Sequence, residues 1–146
     1  MNISRFKNNK NIDTNQKISF HFDGKKYFGY KGDTLASALL ANDIHLIGRS
    51  FKYHRPRGLI SAGSEEPNGI IQLEKGNITE PNRRATEVLI YEGLIATSQN
   101  RWPNIKFDFG AINDFLSPFF PAGFYYKTFM WPPTFWKKYE FFIRHA

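Results

Sequence analysis

At 146 residues and 17.0 kDa the chain is long enough for one domain with an appendage and too short for two full domains. Apolar residues make up 41%, charged residues 23% and aromatic residues 17%, which excludes a generally disordered chain, and no apolar run approaches the roughly 18–20 residues of a membrane span. There is no cysteine, which removes disulfides, thiolate catalysis, cysteine-based zinc sites and an iron–sulfur cluster held by cysteines, while a net charge of +7 suits either a polyanionic partner or a lysine- and asparagine-rich composition with no such partner.

Residues 1–16 are polar and rich in Asn and Lys. They lack the apolar stretch of a signal peptide and read as a flexible arm of a cytoplasmic protein. In Lys17–Phe22 the residues Ile18, Phe20 and Phe22 alternate with polar neighbours, the period of a half-buried strand. Asp23-Gly24 is a hairpin pair, because both types accept positive φ, and Lys25–Tyr30 is the return strand. Asp33 or Thr34 caps a helix that runs to Asn42, with Leu35, Ala38 and Leu39 on one face.

Arg49–Gly58 is a basic aromatic loop in which Arg49, Lys52, Arg55 and Arg57 interleave with Phe51, Tyr53 and His54. Such a run suits phosphates and base stacking, or an ordered contact with carboxylates and carbonyls of a neighbouring domain, which the rigid Arg-Pro-Arg-Gly ending favours. Ser61–Gly69 is a small-residue loop, and its Glu65-Glu66 pair reads as a solvated acidic turn. Ile70–Leu73 and Thr86–Tyr91 read as two further strands joined by a turn-rich link. Hairpin, helix, long loops and two more strands give an α+β fold of the β-grasp type, with the sheet packed on one helix.

The segment from Phe107 to Ala146 has 15 aromatic positions and is interrupted by Pro118, Pro121, Pro132 and Pro133. Thr134–His145 has the spacing of a closing helix with Trp136, Tyr139, Phe142 and Ile143 as its stripe. A segment so aromatic and so interrupted is a poor independent domain and reads as a surface that docks onto something larger. No dinucleotide fingerprint, phosphate loop or nucleophile elbow is present, and His21, His45, His54 and His145 lack the spacing of a triad or a metal site.

Several long stretches are similar to a known family. Gly32–Asn42, Gly48–Gly58, Ser61–Asn68, Ser98–Pro103 and Leu116–Pro132 resemble, in order and spacing, the N-terminal portion of the alpha subunit of heterotetrameric sarcosine oxidase. The resemblance runs from about Lys17 to the end. It implies a complex that oxidatively demethylates sarcosine to glycine and hydrogen peroxide, and that with tetrahydrofolate also yields methylene-tetrahydrofolate. It implies FAD, covalently bound FMN and NAD as cofactors, a zinc in the delta subunit, and beta, gamma and delta subunits or further alpha-subunit domains as partners. The chain stops about where that family's nucleotide-binding domain starts, so the expectation is a fragment, a truncated reading frame or a split subunit.

Related amine dehydrogenases carry a [2Fe–2S] domain at this place, with a C-x4-C-x2-C loop. On that spacing the ligand positions here are Ser61, Glu66 and Gly69, with the fourth near Ala85. Oxygens and a glycine do not replace thiolates around iron, so the resemblance implies a ferredoxin-like β-grasp scaffold without its cluster. The expected organisation is an arm over 1–16, the scaffold over 17–95 and an aromatic docking extension over 96–146. No catalytic, cofactor or metal residue is expected in the chain itself.

Partner contacts are expected at Arg49, Lys52, Tyr53, His54, Arg55 and Arg57, and at Tyr125, Tyr126, Lys127 and Trp131. A structural salt bridge is the preferred reading of Lys127 over an approach to a flavin. Two alternatives remain: a free-standing β-grasp protein-interaction module, and a basic nucleic-acid-binding module. The second is less favoured because it leaves the aromatic segment unexplained.

Overall fold

The computed structural model of the chain describes residues 11–75, 78–119 and 133–139. Two compact units are present: the first runs to Arg49 and resumes over Pro56–Gln99, and the second joins Ser50–Arg55 to the residues from Asn100 onwards. The expected scaffold boundary at residue 95 falls inside a strand, and the sheet continues to Ser98.

The first unit is built on a five-stranded sheet. Strand β1 (Asp13–Phe22) pairs antiparallel with β2 (Lys25–Lys31), with Phe20 opposite Tyr27 and Phe22 opposite Lys25. The turn between them has Asp23 at φ 48° and Gly24 at φ 75°, the left-handed pair that a two-residue hairpin needs. β1 begins four residues earlier than the alternation indicates. Residues 13–16 belong to it across an irregularity in register between Asp13 and Lys17, and residues 1–10 of the expected arm lie outside the described residues.

Helix α1 (Leu35–Ala41) follows, with Leu35, Ala36, Ala38, Leu39 and Ala41 buried. Seven residues do not hold a helix alone, so its ends are fixed from outside. The Thr34 hydroxyl accepts from the Ser37 N–H at 3.2 Å, and the buried Asp33 carboxylate accepts from the Tyr30 N–H at 2.8 Å and the Ser37 hydroxyl at 2.9 Å. The N–H groups of Leu35 and Ala36 donate to the carbonyls of Val88 and Ala85 at 2.7 and 2.9 Å. At the other end Asn42 donates its side-chain amide to the carbonyls of Phe28 and Ala38, both at 2.7 Å.

Short strands β3 (Gly48–Arg49) and β4 (Pro56–Arg57) form a separate antiparallel ladder. The sheet resumes with β5 (Ile70–Lys75), β6 (Ile78–Arg84) and β7 (Leu94–Ser98), in the spatial order β2-β1-β7-β5-β6. β7 runs parallel to β1 and antiparallel to β5. Phe20, Phe22, Ile71, Leu73, Leu94 and Ala96 from the sheet pack with Leu35, Ala38, Leu39 and Ile47 in one core. This is the expected α+β, ferredoxin-like arrangement.

Two of the later strands differ from expectation. Thr86–Tyr91 is not a strand of the sheet. Its alternation is real, with Val88 and Ile90 buried and Leu89 and Tyr91 exposed, but its backbone is turned onto the start of α1 and makes only the isolated Thr34–Leu89 bridge. The expected link instead contains β6, an edge strand that is almost wholly exposed, interrupted by Pro81 and by Asn82 at φ 60°. β7 buries Leu94, Ala96 and Ser98, a face too small to register as an apolar pattern.

In the second unit the described residues after Ser98 form short helical turns. They are a 3-10 turn at Phe109–Ala111, helix α2 (Ile112–Phe115), a further 3-10 turn at Ser117–Phe119 and another at Pro133–Phe135. Of the expected closing helix, residues 136–139 are helical, and the rest lies outside the described residues. Among the described residues no helix is long and apolar enough to cross a membrane.

Leu39 is fully buried in the core, whereas Ile78 on the edge strand is exposed. Leu39→Ala is expected to cost about 2–5 kcal/mol of unfolding free energy, and Ile78→Ala to stay within about 0.5 kcal/mol of the parent, both read from urea midpoints.

Candidate functional site

Among the described residues two loops carry those that the sequence singles out, one within the first unit and one divided between the two units. In the first unit the positions matched to cluster ligands do come together. Ala85 donates its N–H to the Gly69 carbonyl at 2.8 Å, and Ser61 and Gly69 both donate N–H groups to the side chain of Glu66. Thr86 holds the far end of the loop, its hydroxyl donating to the Gly63 carbonyl at 2.8 Å.

Glu66 corrects the sequence reading. Glu65 is exposed, as a solvated acidic turn requires, but Glu66 is completely buried. Its Oε2 accepts from the N–H groups of Ile60 at 2.8 Å and Ser61 at 2.6 Å, and from the Ser61 hydroxyl at 3.2 Å. Its Oε1 accepts from the N–H groups of Asn68 at 2.7 Å and Gly69 at 3.2 Å. One carboxylate therefore ties the incoming arm of the loop to the outgoing arm. Burial raises the pKa of this group, but the N–H donors of Ser61, Asn68, Ile60 and Gly69 outweigh it and lower the pKa from 4.5 to about 2.

The donor set does not fit an iron–sulfur cluster. A [2Fe–2S] centre takes four thiolates, or two thiolates and two imidazoles. Here the three spaced positions offer a hydroxyl already donated to Glu66, a carboxylate saturated by N–H groups and a glycine, and no cysteine stands near Ala85 for the fourth. A Cβ at Gly69 would meet Leu59 Cδ2 at 2.5 Å and Glu66 Cγ at 3.3 Å, so hydrocarbon fills the direction a ligand would take. Among the described residues no group of three His, Asp or Glu side chains is placed to hold a metal ion.

The basic loop is divided between the units. Arg49 and Arg57 belong to the β3–β4 ladder of the first, where Ile47 donates its N–H to the Arg57 carbonyl at 2.9 Å. Lys52, Tyr53, His54 and Arg55 belong to the second. There the loop closes on itself: Ser50 and Arg55 are joined by N–H donation from Ser50 to the Arg55 carbonyl at 2.9 Å and from Arg55 to the Ser50 hydroxyl at 3.0 Å.

His54, at φ 53°, turns its ring into the unit and is buried, with Nδ1 2.7 Å from Asp108 Oδ2. The other oxygen of Asp108 accepts from the N–H groups of Trp102 at 2.9 Å and Gly110 at 3.1 Å. A Cβ at Gly110 would lie 2.2 Å from His54 Nδ1, so only glycine fits against that ring. Lys52 Nζ and Arg55 Cζ lie 4.9 and 4.8 Å from the Tyr53 ring centroid, and Arg55 Nε donates to Asp114 Oδ1 at 2.7 Å.

The sequence placed no weight on Asp108 or Asp114, because each is a lone acid in an aromatic stretch. Beside them Trp102, Phe107 and Phe109 stack with centroids 5.0–5.1 Å apart and stay largely exposed, as does Phe115 at 83%. Tyr125, Tyr126, Lys127 and Trp131 lie outside the described residues.

Asp108→Ala removes the acceptor that anchors His54 and two backbone N–H groups, and is expected to speed tryptic cleavage at the Lys52–Tyr53 bond while leaving the urea midpoint of the sheet nearly unchanged. Glu66 gives a pH signature. Its carboxyl has a folded pKa below its ordinary value, so the stability it contributes is fully present above pH 4.5 and is lost as pH falls towards about 2. Glu66→Gln is expected to be less stable than the parent at neutral pH and to converge with it across that window, measured by thermal melts at stepped pH.

Residues 15–101 match the family described as a 2Fe-2S iron-sulfur cluster binding domain. The sarcosine oxidase subunit alpha of Rhizobium meliloti (strain 1021) is 60% identical over 136 residues, which is 92% of this chain and 14% of that protein. The sarcosine oxidase subunit alpha of Corynebacterium sp. (strain U-96) is 39% identical over 89 residues, 59% of this chain and 9% of that protein. Among solved structures, L-proline dehydrogenase from P. horikoshii overlays with a TM-score of 0.46 at 25% identity, over 61% of this chain and 16% of that one. The chain thus spans 14% or less of the sarcosine oxidase subunits it matches. With the match running from β1 through helix α1 to the end of β7, and with no cysteine anywhere in the chain, the chain belongs to the 2Fe-2S iron-sulfur cluster binding domain family as a member that lacks cluster cysteines.

Proposed function

We propose that the chain is a structural and assembly segment of a sarcosine oxidase alpha-type subunit, and that it takes part in oxidative demethylation of sarcosine without performing any step itself. The observation that carries this reading is the loop around Glu66. A domain of a cluster-binding family that has no cysteine, and whose loop is closed by the Glu66 carboxylate, keeps its sheet, helix and loop in order, which supports a structural role. The identity of 60% across 92% of the chain supports the assignment to this oxidoreductase.

In this reading FAD, FMN and NAD belong to other parts of the complex. The partners are the beta, gamma and delta subunits or further domains of the alpha subunit, in the cytoplasm. The segment from residue 100 onwards is the docking extension. Its exposed Trp102, Phe107, Phe109 and Phe115 supply aromatic anchors, and the loop that His54 and Asp108 hold rigid supplies Lys52 and Arg55 for polar contacts. Arg49, Arg57, Tyr125, Tyr126, Lys127 and Trp131 are assigned to the same contacts from the sequence. In such a role a loop fixed before binding loses less conformational entropy on docking than a mobile one.

The ultraviolet–visible spectrum tests the assignment. The purified chain is expected to be colourless and free of iron and acid-labile sulfide, and to co-elute with a flavin-bearing beta-type subunit of sarcosine oxidase on mixing. One flavin per chain in the isolated protein, or no association with any sarcosine oxidase subunit, overturns the proposal.

A further inference from the structure

We infer that the carboxylate of Glu66 occupies the structural place of the anionic cluster: the loop over residues 59–69 is an anion cradle whose occupant is a side chain of the chain itself. The spacing Ser61, Glu66, Gly69 is the x4 and x2 interval of plant-type cluster ligands, and the fold brings Ala85, near which the resemblance puts the fourth ligand, against Gly69. A cluster held by thiolates is a buried anion that takes hydrogen bonds on its sulfurs. Removing it leaves a loop whose N–H groups face inward with nothing to accept from them, and each unmet buried donor is costly.

Here those donors are met. The N–H groups of Ile60 and Ser61 reach one oxygen of Glu66, and those of Asn68 and Gly69 reach the other, so a single negative group closes the loop from both sides. Beside Gly69 the space is taken by the side chain of Leu59. The charge that closes the loop stands at one of the positions with the cluster-ligand spacing. This holds whether or not the segment assembles with an oxidase, because it concerns only how the loop is held.

The inference defines a ligand. Truncating Glu66 to alanine deletes a CH2–COO⁻ group, and acetate has the same carboxylate with one methyl. Thermal melts of full-length Glu66→Ala in sodium acetate and in sodium chloride of equal ionic strength make the test. Acetate is expected to raise the midpoint by roughly 4 °C or more in a saturable way, through binding to the folded state only, while chloride does not. The parent chain, whose cradle is filled, is expected to show no acetate-specific rise. Equal effects of the two salts on the variant overturn the inference.

Should Glu66→Ala fail to fold in either salt, Glu66→Gln decides. Its amide keeps the volume and one acceptor oxygen but turns a donor towards one pair of N–H groups. That pair, Ile60 with Ser61 or Asn68 with Gly69, is then expected to exchange with solvent at least about tenfold faster than in the parent, while sheet amides keep their protection. Unchanged exchange at those four positions overturns the inference.

Discussion

The first unit depends on β7 lying between β1 and β5. The β1–β2 and β5–β6 hairpins are each local pairs, and a lone hairpin is marginal in water. Strand β7 pairs with both at once, Phe20 with Leu94 on one side and Ile71 with Ser98 on the other, and so makes two ribbons into one sheet. Its inward residues Leu94 and Ala96 complete the layer against which Leu35 and Leu39 pack. The seam is closed at the hairpin turn, where the Asp23 carboxylate accepts from the Ser98 N–H and hydroxyl across a separation of 75 residues. Closing so long a loop carries an entropic cost that no local contact offsets. The same closure delivers the 85–90 segment to the start of α1, whose first N–H groups have no other acceptor.

The parts of the fold legible in the sequence are those where local pattern and long-range partner agree. Ile18, Phe20 and Phe22 with Asp23-Gly24 specify a hairpin whatever lies beyond it, and Thr34 with Leu35, Ala38 and Leu39 specifies a capped helix. Thr86–Tyr91 shows how alternation misleads: a period of two says that one face is buried, not that the partner is a strand. β6 left no apolar signal because an edge strand exposed on both faces needs none. The site was legible by position and opaque by chemistry. The family resemblance marked Ser61, Glu66 and Gly69, whereas the donors that make Glu66 a buried anion are backbone N–H groups, which no side chain announces. The pairing of His54 with Asp108 joins residues 54 apart and was equally silent.

One device recurs in the irregular segments of both units. Asp33 takes the Tyr30 N–H, Asp108 takes those of Trp102 and Gly110, and Glu66 takes four. Loops with little hydrocarbon to bury are held by carboxylates that gather backbone donors, bonds that are stronger for being charged. Three of the 13 acids are thereby buried, so the charge that faces water is more basic than the composition alone states.

The two rims of the sheet have a consequence for how it meets other chains. β2 lines one rim with Lys25, Lys26 and Lys31, and β6 breaks the other with Pro81, which has no N–H to offer, and with the left-handed Asn82. Both are the marks of an edge guarded against added strands. Among the described residues both rims of the sheet therefore disfavour an added strand. Such rims work against recognition by strand addition and against copies of the chain stacking edge to edge into fibres.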